Sequence, residues 1–217
     1  MDLQDAINQR HSIRQFTDKP VEKKMITKIV ELAQRAPSWV NSQPWQVYCA
    51  MGDTLQEIKN AYRDQDIAGN QGNSDLPVMS REDWAPQTQD NMKQWRHGIV
   101  HHFANFDEAH EKMTNASNTL YDSPVILYIT IPKASPDWSI FDAGLFAENI
   151  MLAATAYGLG TIPTYNSVRF PAILHQTLDV PDDERFIVGI SLGYSADTTI
   201  NSYHSERRPV NEILHFN

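Results

Sequence analysis

Three stretches of the chain carry the apolar pattern of β-strands. Residues 125–131 read Val-Ile-Leu-Tyr-Ile-Thr-Ile, a run in which nearly every side chain is apolar or aromatic. An unbroken run of this kind predicts a strand that is buried on both faces. Residues 45–50 and 185–194 predict two further strands, and residues 11–17 look extended.

Helical spacing of apolar residues predicts six helices, over residues 2–10, 20–36, 54–63, 99–118, 139–157 and 170–178. In the second helix, which begins at Pro20, the apolar stripe is formed by Met25, Ile29, Leu32 and Ala36. Helices and strands alternate without a repeat or a linker. We therefore expect one α+β domain over residues 1–217.

The predicted helix over residues 139–157 should pack in the core through Phe146, Ile150 and Tyr157. Gly158 and Gly160 follow it as helix-stop signals. Residues 64–98, in contrast, show little periodicity and contain both glycine and proline. A long stretch of this kind inside a compact domain is usually functional, so we interpret it as an insertion or lid.

Composition narrows the classes of function. Lys and Arg number 18 against 27 Asp and Glu, a net charge of −9, which disfavours nucleic-acid and anionic-membrane binders. The N-terminus has no signal-peptide pattern and no apolar run is long enough to span a membrane, so a cytoplasmic protein is expected. Cys49 is the single cysteine, which excludes an intramolecular disulfide, and it is predicted to be buried on a strand.

The segment Arg10-His11-Ser12-Ile13-Arg14 is the strongest candidate for chemistry. If it is extended, side chains 10, 12 and 14 point the same way. Two guanidinium groups and a hydroxyl then face one point, which suits a phosphate. Residues 37–205 hold all of the excess negative charge, so both chain ends are relatively rich in cations. The alternative is a solvated basic turn with surface ion pairs.

Three further segments are weaker candidates. Residues 37–45 form a polar loop between prolines and tryptophans, which suits either a ligand-covering loop or an ordinary connection. Residues 157–166 contain a Gly-x-Gly pair without the third glycine of a dinucleotide-binding fingerprint. Arg207 and Arg208 stand before Pro209, and such a pair is often only a solvated charge run. His97, His101, His102 and His110 are interpreted as helix histidines, and no metal site is expected.

Taken together, these segments resemble the nitroreductase family of flavin mononucleotide (FMN)-dependent oxidoreductases, over essentially the whole chain. The resemblance rests on five motifs in order: Arg-x-Ser-x-Arg at 10–14, Ala-Pro-Ser-x-x-Asn-x-Gln-Pro-Trp at 36–45, Gly-Leu-Gly at 158–160, Ser-Leu-Gly-Tyr at 191–194 and Arg-Arg-Pro at 207–209. It implies a central mixed, mostly antiparallel sheet flanked by helices, in an intertwined homodimer.

The resemblance also implies a set of flavin-binding residues. The N-terminal array holds the flavin phosphate and ribityl oxygens, the polar loop covers the flavin, the segment after the glycine turn packs against the ring, and the C-terminal arginines contact the phosphate. These residues are Arg10, His11, Ser12, Arg14, Pro37, Ser38, Trp39, Asn41, Gln43, Pro163, Thr164, Tyr165, Asn166, Arg207 and Arg208. The arm at 206–217 is expected to embrace the partner subunit.

The activity implied is reduction of nitroaromatic compounds by two-electron hydride transfer from NADH or NADPH through the flavin, with no catalytic side chain. One open flavin face predicts ping-pong kinetics. Alternatives are another flavin reductase, acting on a quinone, an enone or free flavin, and a non-catalytic flavin-binding protein. Many family members have Glu-Gly where this chain has Tyr165 and Asn166, and either Asn115 or Asn118 is a candidate contact for the flavin pyrimidine edge.

Overall fold

The computed structural model describes all residues, 1–217. Its helices are α1 (Leu3–Gln9), α2 (Lys23–Ala33), α3 (Gly52–Ile67), α4 (Pro86–His101), α5 (Phe106–Asn118), α6 (Asp137–Ala156), α7 (Pro171–Leu178) and α8 (Thr199–Ser202). Its strands are β1 (Gln46–Met51), β2 (Val125–Pro132), β3 (Gly160–Thr164) and β4 (Glu184–Gly193). They form one antiparallel sheet in the order β1-β2-β4-β3, so the predicted α+β class is confirmed.

Both faces of the central strand β2 are covered. Val125, Leu127 and other odd-numbered β2 residues share a core with apolar residues of α2 and α6. Ile126 and Tyr128 point into a second core built with α3 and α7. The continuous apolar run of β2 is therefore explained by burial on two sides, as the pattern predicted.

The N-terminal segment is attached to the far edge of the sheet. Ser12 forms a parallel bridge with Thr161 of β3, and the Ile13 N–H donates to the Thr161 carbonyl at 3.0 Å. A Cβ atom on Gly160 would lie 2.5 Å from Ile13 Cγ1, so this glycine allows the segment to approach. Gly160 thus leaves room for residues 12–16, and this N-terminal segment adds a short parallel pairing to the antiparallel sheet.

Residues 160–164 form the strand β3, which was not predicted from the helix-stop glycines of this segment. Pro163 lies within this strand, and proline supplies no N–H to a ladder. β3 stands at the edge of the sheet, where a proline is tolerated because only one neighbouring strand needs bonding.

The predicted helix over 99–118 is two helices. α4 ends at His101, and α5 begins after Asn105, whose side chain accepts from the Glu108 N–H at 2.9 Å. The Glu108 carboxylate in turn accepts from the Ala104 N–H at 3.1 Å. This reciprocal capping fixes a new helix start inside the apolar pattern.

Residues 64–98 are more ordered than their sequence indicates. The segment contains the end of α3 and most of α4, which starts with Pro86 at its first turn. Between the two helices, Asn73 N–H donates to the Arg169 carbonyl at 2.9 Å and Phe186 N–H donates to Asp75 at 2.7 Å. Residues 73 and 75 are therefore fixed on the body of the protein, and the interpretation of residues 64–98 as an insertion or lid stays a prediction.

Three predictions of side-chain burial are wrong. Leu32 is exposed, and the buried stripe of α2 consists of Ile26, Ile29 and Ala33. Tyr157 is 40% exposed because it caps the end of α6, although Phe146 and Ile150 are fully buried as predicted. Cys49 is exposed on the edge strand β1.

None of the helices is long and apolar enough to cross a membrane.

Candidate functional site

Arg14 is the most unusual charged residue of the chain. Only 9% of it is exposed, yet it makes no ion pair with any carboxylate. Its guanidinium donates to the Ser12 carbonyl at 3.2 Å. Burial lowers the pKa of Arg14, while the nearby phenols of Tyr121 and Tyr203 act in the opposite direction. Since an unpaired buried charge is costly, this guanidinium is suited to bind an anion.

Two arginines that do form ion pairs show the contrast. Arg169 is also largely buried, but it is paired with Asp66. Arg10, on the same segment as Arg14, lies 3.7 Å from the half-exposed carboxylate of Glu148. The positive charge of Arg10 is partly balanced within the chain, whereas that of Arg14 is not. An anion from outside the chain would therefore stabilise Arg14 more than Arg10.

Residues 11–16 are held by two sets of contacts. Ile13 and Phe16 pack with Ile162 in a small apolar cluster. The ring nitrogens of His11 lie 2.8 Å and 2.9 Å from the backbone oxygens of Gln9 and Asn201. His11 therefore links α1 to α8, a connection that the sequence did not indicate.

The polar loop between Pro37 and Pro44 is anchored to α6 by Asp142. This carboxylate is buried and accepts from the Trp39 N–H at 3.0 Å, with the Ser42 hydroxyl 3.5 Å away. Within the loop, the Ser38 hydroxyl accepts from the Gln43 N–H at 2.9 Å. These contacts define the path of the loop while the side chains of Asn41 and Gln43 remain at the surface.

The same loop has a strained backbone. Val40, Asn41 and Gln43 have φ values of 49°, 59° and 45°, in the left-handed region that favours glycine. The value for Val40 is a clear outlier because its side chain is β-branched. Such strain persists only where surrounding contacts over-determine the conformation, and it is concentrated at functional sites.

The two tryptophans that flank the loop have different environments. Trp45 is buried and stacks on Phe146, with ring centroids 4.7 Å apart. Trp39 is 60% exposed and stacks on Trp138, which is 56% exposed. Trp45 is therefore a core residue, and only Trp39 is available as an aromatic wall beside the loop.

The segment after β3 presents mixed chemistry. Pro163 and Tyr165 are exposed, whereas Thr164 is buried and its hydroxyl has no hydrogen-bond partner. Asn166 donates to the Ser117 carbonyl at 2.7 Å, so its amide is used to join this segment to the end of α5. In the sequence, Ser117 lies between Asn115 and Asn118, the two candidate contacts for the flavin pyrimidine edge.

Arg207 and Arg208 lie apart from these groups, along a cleft of about 1660 Å³ between α4 and the C-terminal segment. Arg207 donates to the carbonyls of Ser205 and Glu206, and Arg208 pairs with Glu212 at 3.0 Å. Both cations thus have partners on their own segment. The chain does not bring them to Arg14 through any direct contact, although Tyr203, a few residues earlier, lies near Arg14.

The histidines of α4 do not form a metal centre. His97 and His101 stack with ring centroids 3.9 Å apart, and His102 lies 2.9 Å from the Ser202 hydroxyl. No group of three or more His, Cys, Asp or Glu side chains is placed to hold a metal ion.

Asn201 of α8 is not among the residues predicted from the sequence. Its side chain is buried and contacts the backbone of residues 14 and 15. Asp142 was likewise not predicted. Neither residue belongs to a local motif. Asp142 is a polar residue among the apolar residues of α6, and this pattern is the one signal that could have pointed to it.

Comparisons with known proteins assign a chain with this fold to a family of oxidoreductases. The family model described as "Nitroreductase family" matches residues 7–194. The chain therefore belongs to the nitroreductase family. Residues 195–217, with Asn201, Arg207 and Arg208, lie outside the matched range.

Individual relatives agree with this assignment. The chain is 28% identical to a 4-nitrobenzoate reductase of Pseudomonas putida, over 99% of this chain and 95% of that protein. It is 30% identical to a nitrobenzene nitroreductase of Ectopseudomonas oleovorans, over 89% and 86% of the two chains. The solved structure of the FMN- and NADPH-dependent nitroreductase NfnB from Sphigopyxis sp. strain HMH has the same fold, with a TM-score of 0.91, 22% identity and 100% and 99% coverage.

Proposed function

We propose that this protein is an FMN-dependent oxidoreductase that uses NADH or NADPH to reduce nitroaromatic compounds. The observation that carries the proposal is the buried, unpaired guanidinium of Arg14 on the segment that matches the family's Arg-x-Ser-x-Arg motif. A phosphate monoester supplies the anionic oxygens that such a guanidinium can bind in a bidentate manner.

The residues present fit FMN. Arg14 would hold the phosphate, with Arg10 and Ser12 contributing to the phosphate and the ribityl chain, and His11 supporting the segment. Arg207 and Arg208 would reach the phosphate once their contacts with residues 205–212 rearrange. The orphaned hydroxyl of Thr164 adds a buried polar group at the end of β3 that a ligand can satisfy.

The ring-binding part of the site would come from two segments. The loop residues Pro37, Ser38, Trp39, Asn41 and Gln43 supply amide, hydroxyl and aromatic groups. Pro163, Thr164, Tyr165 and Asn166 lie at the end of the edge strand. Polar groups fixed beside an aromatic wall orient a heteroaromatic ring.

The flavin, when bound, supplies two-electron hydride transfer between the nicotinamide and the acceptor. The chain's part is to hold the phosphate, to orient the ring and to exclude water above it. Because no side-chain nucleophile and no metal are needed, the acceptor is selected by the shape of the opening, to which residues 76–98 contribute.

Nitroaromatic acceptors are supported by the names of the relatives, which include a 4-nitrobenzoate reductase and a nitrobenzene nitroreductase. NADPH is supported by the NfnB structures, one of them determined with NADPH. Activity with NADH and activity with NADPH should be compared directly.

We also propose that the active form is a homodimer. Large apolar side chains are exposed on α1 and α6 and at the C-terminus, where Ile213, Leu214 and Phe216 are 60%, 49% and 90% exposed. Trp138 and Phe141 on α6 are also more than half exposed. Extended apolar surface of this kind marks an interface, and a second copy of the chain is the partner expected for the family.

The test is the visible spectrum of the purified protein after saturation with FMN, before and after anaerobic NADH or NADPH. Bleaching of the flavin absorption, followed by recovery on adding 4-nitrobenzoate or nitrobenzene, is the expected result. Steady-state rates with both substrates varied should give the parallel double-reciprocal lines of a ping-pong mechanism.

Three outcomes would contradict parts of the proposal. A protein that does not take up FMN has no flavin site. Bound flavin that neither nicotinamide reduces indicates a binder or an enzyme with another reductant. Reduced flavin that a quinone reoxidises but a nitroarene does not indicates a different acceptor class.

A further inference from the structure

Asn201 is a buried amide whose polar groups are all engaged. It is 5% exposed and lies in α8, a helix of only four residues that follows the family-matched range. Its side-chain oxygen accepts from the Arg14 N–H at 2.7 Å and from the Gln15 N–H at 3.1 Å. Two backbone donors of the arginine segment therefore depend on one side chain.

The nitrogen of the same amide donates hydrogen bonds to two separate segments of the chain. It donates to the Gln15 carbonyl at 2.6 Å and to the Ala196 carbonyl at 2.9 Å, with the Ser195 hydroxyl at 3.3 Å. The backbone oxygen of Asn201 also lies 2.9 Å from His11 Nε2. The residue thus joins the arginine segment to the chain that leaves β4.

These contacts place the Asn201 side chain against the backbone of Arg14. The guanidinium itself makes one hydrogen bond within the chain, to the Ser12 carbonyl, and lies near Tyr121 and Tyr203. The side chain starts from the backbone of residues 14 and 15, and Asn201 fixes both N–H groups and one carbonyl of that backbone. No carboxylate is available to hold Arg14 in place.

We infer that Asn201 is a positioning residue for the anion site: it holds the Arg14 guanidinium in the orientation that binds the phosphate of FMN. This inference rests on the proposed function, because it takes the phosphate as the anion. An asparagine is needed there, since it accepts and donates at once, which neither aspartate nor alanine does.

The test compares FMN with riboflavin, which has the same ring and no phosphate. Asn201→Ala is expected to weaken FMN binding by about tenfold, part of the roughly 10- to 150-fold carried by a charge-assisted hydrogen bond, and to leave riboflavin binding unchanged. A double-mutant cycle with Arg14→Ala should show that Asn201→Ala costs no further FMN affinity once Arg14 is absent. Both affinities are measured by quenching of flavin fluorescence.

The control is Asn105→Ala, which removes the side-chain cap of α5 and none of the hydrogen bonds of residues 11–16. It should lower the thermal midpoint and leave the ratio of FMN to riboflavin affinity unchanged. If Asn201→Ala behaves in the same way, Asn201 only stabilises the fold and the inference is wrong.

A second variant tests the same inference if Asn201→Ala does not fold. Asn201→Ser keeps a small hydroxyl that can both donate and accept, so it leaves fewer buried backbone groups unpaired than alanine does, but it cannot hold both N–H groups and both carbonyls at once. It should weaken FMN and not riboflavin, and equal loss of both would overturn the inference. If Arg14→Ala also leaves FMN binding unchanged in these measurements, the anion site itself is wrong, which is a failure of the proposed function and not of Asn201's role alone.

Discussion

Replacing Arg14 by alanine should separate binding of the flavin phosphate from stability of the fold. The guanidinium is buried without a counter-charge and makes one hydrogen bond within the chain, so its removal relieves a desolvation cost. The flavin-free variant is therefore expected to unfold at the same temperature as the parent chain or at a higher one. A residue that was important for folding would show the opposite sign.

The loss should appear in FMN binding. A charge-assisted hydrogen bond contributes about 1.5–3 kcal/mol, so FMN affinity should fall by roughly 10- to 150-fold. Riboflavin affinity should stay the same because riboflavin has no phosphate. Addition of FMN stabilises a protein in proportion to the logarithm of concentration over Kd, so the thermal shift caused by FMN should also shrink.

The assay is titration of the flavin-free protein with FMN and riboflavin, followed by thermal unfolding at fixed FMN. Arg63→Ala is the matched control, because Arg63 is an exposed arginine of α3 with no ion pair. FMN affinity that is unchanged in Arg14→Ala would refute the reasoning, as would an equal loss for both ligands.

Three other changes test the remaining geometry. Asp142→Ala leaves the Trp39 N–H without its acceptor and should lower the free energy of unfolding by about 1–3 kcal/mol, whereas Asp142→Asn keeps an acceptor and should cost less; equal urea-denaturation losses would show that Asp142 does not anchor the loop. Deleting residues 213–217, which spares Glu212 and its pair with Arg208, should shift the protein from dimer to monomer or aggregate in sedimentation; a truncated chain that remains a stable dimer excludes the arm as the clamp. Desolvation and a hydrogen bond to Glu184 raise the pKa of Tyr48 to about 12 from 10.0, so the folded state keeps a proton that the unfolded state loses. Its contribution to stability is present below pH 10 and is lost as pH rises towards 12, and Tyr48→Phe should reduce that slope in thermal unfolding; an identical slope would show that Tyr48 does not contribute.

The sequence predicted the elements in which one pattern decides the structure. β2 and α6 carry apolar runs that agree with their length and burial, and both were recovered within a few residues. β3 was missed because its glycine and proline are turn signals by themselves. They are compatible with a strand only at an edge, and strand order is a tertiary property.

The candidate site was predicted unevenly for a similar reason. The Arg-x-Ser-x-Arg segment is recognisable locally, and Arg14 stands out once burial is known. Asn201 and Asp142 act on backbone groups that lie more than one hundred residues away in the chain. No periodicity or local spacing encodes such contacts, so a single sequence without a structure does not reveal them.

The distance between Arg14 and Asn201 along the chain has a consequence for the order in which the protein is made. The two residues are 187 positions apart, and the N-terminal segment also needs Thr161 and Tyr194 for its other hydrogen bonds. Chains are synthesised from the N-terminus at about 5–20 residues per second. The arginine segment therefore emerges from the ribosome among the first residues and waits, without its partners, until nearly the whole chain has followed. If the flavin phosphate binds at Arg14 as proposed, flavin loading at this site follows translation of the C-terminal segment, and a chain terminated before residue 201 should have a lower affinity for the cofactor.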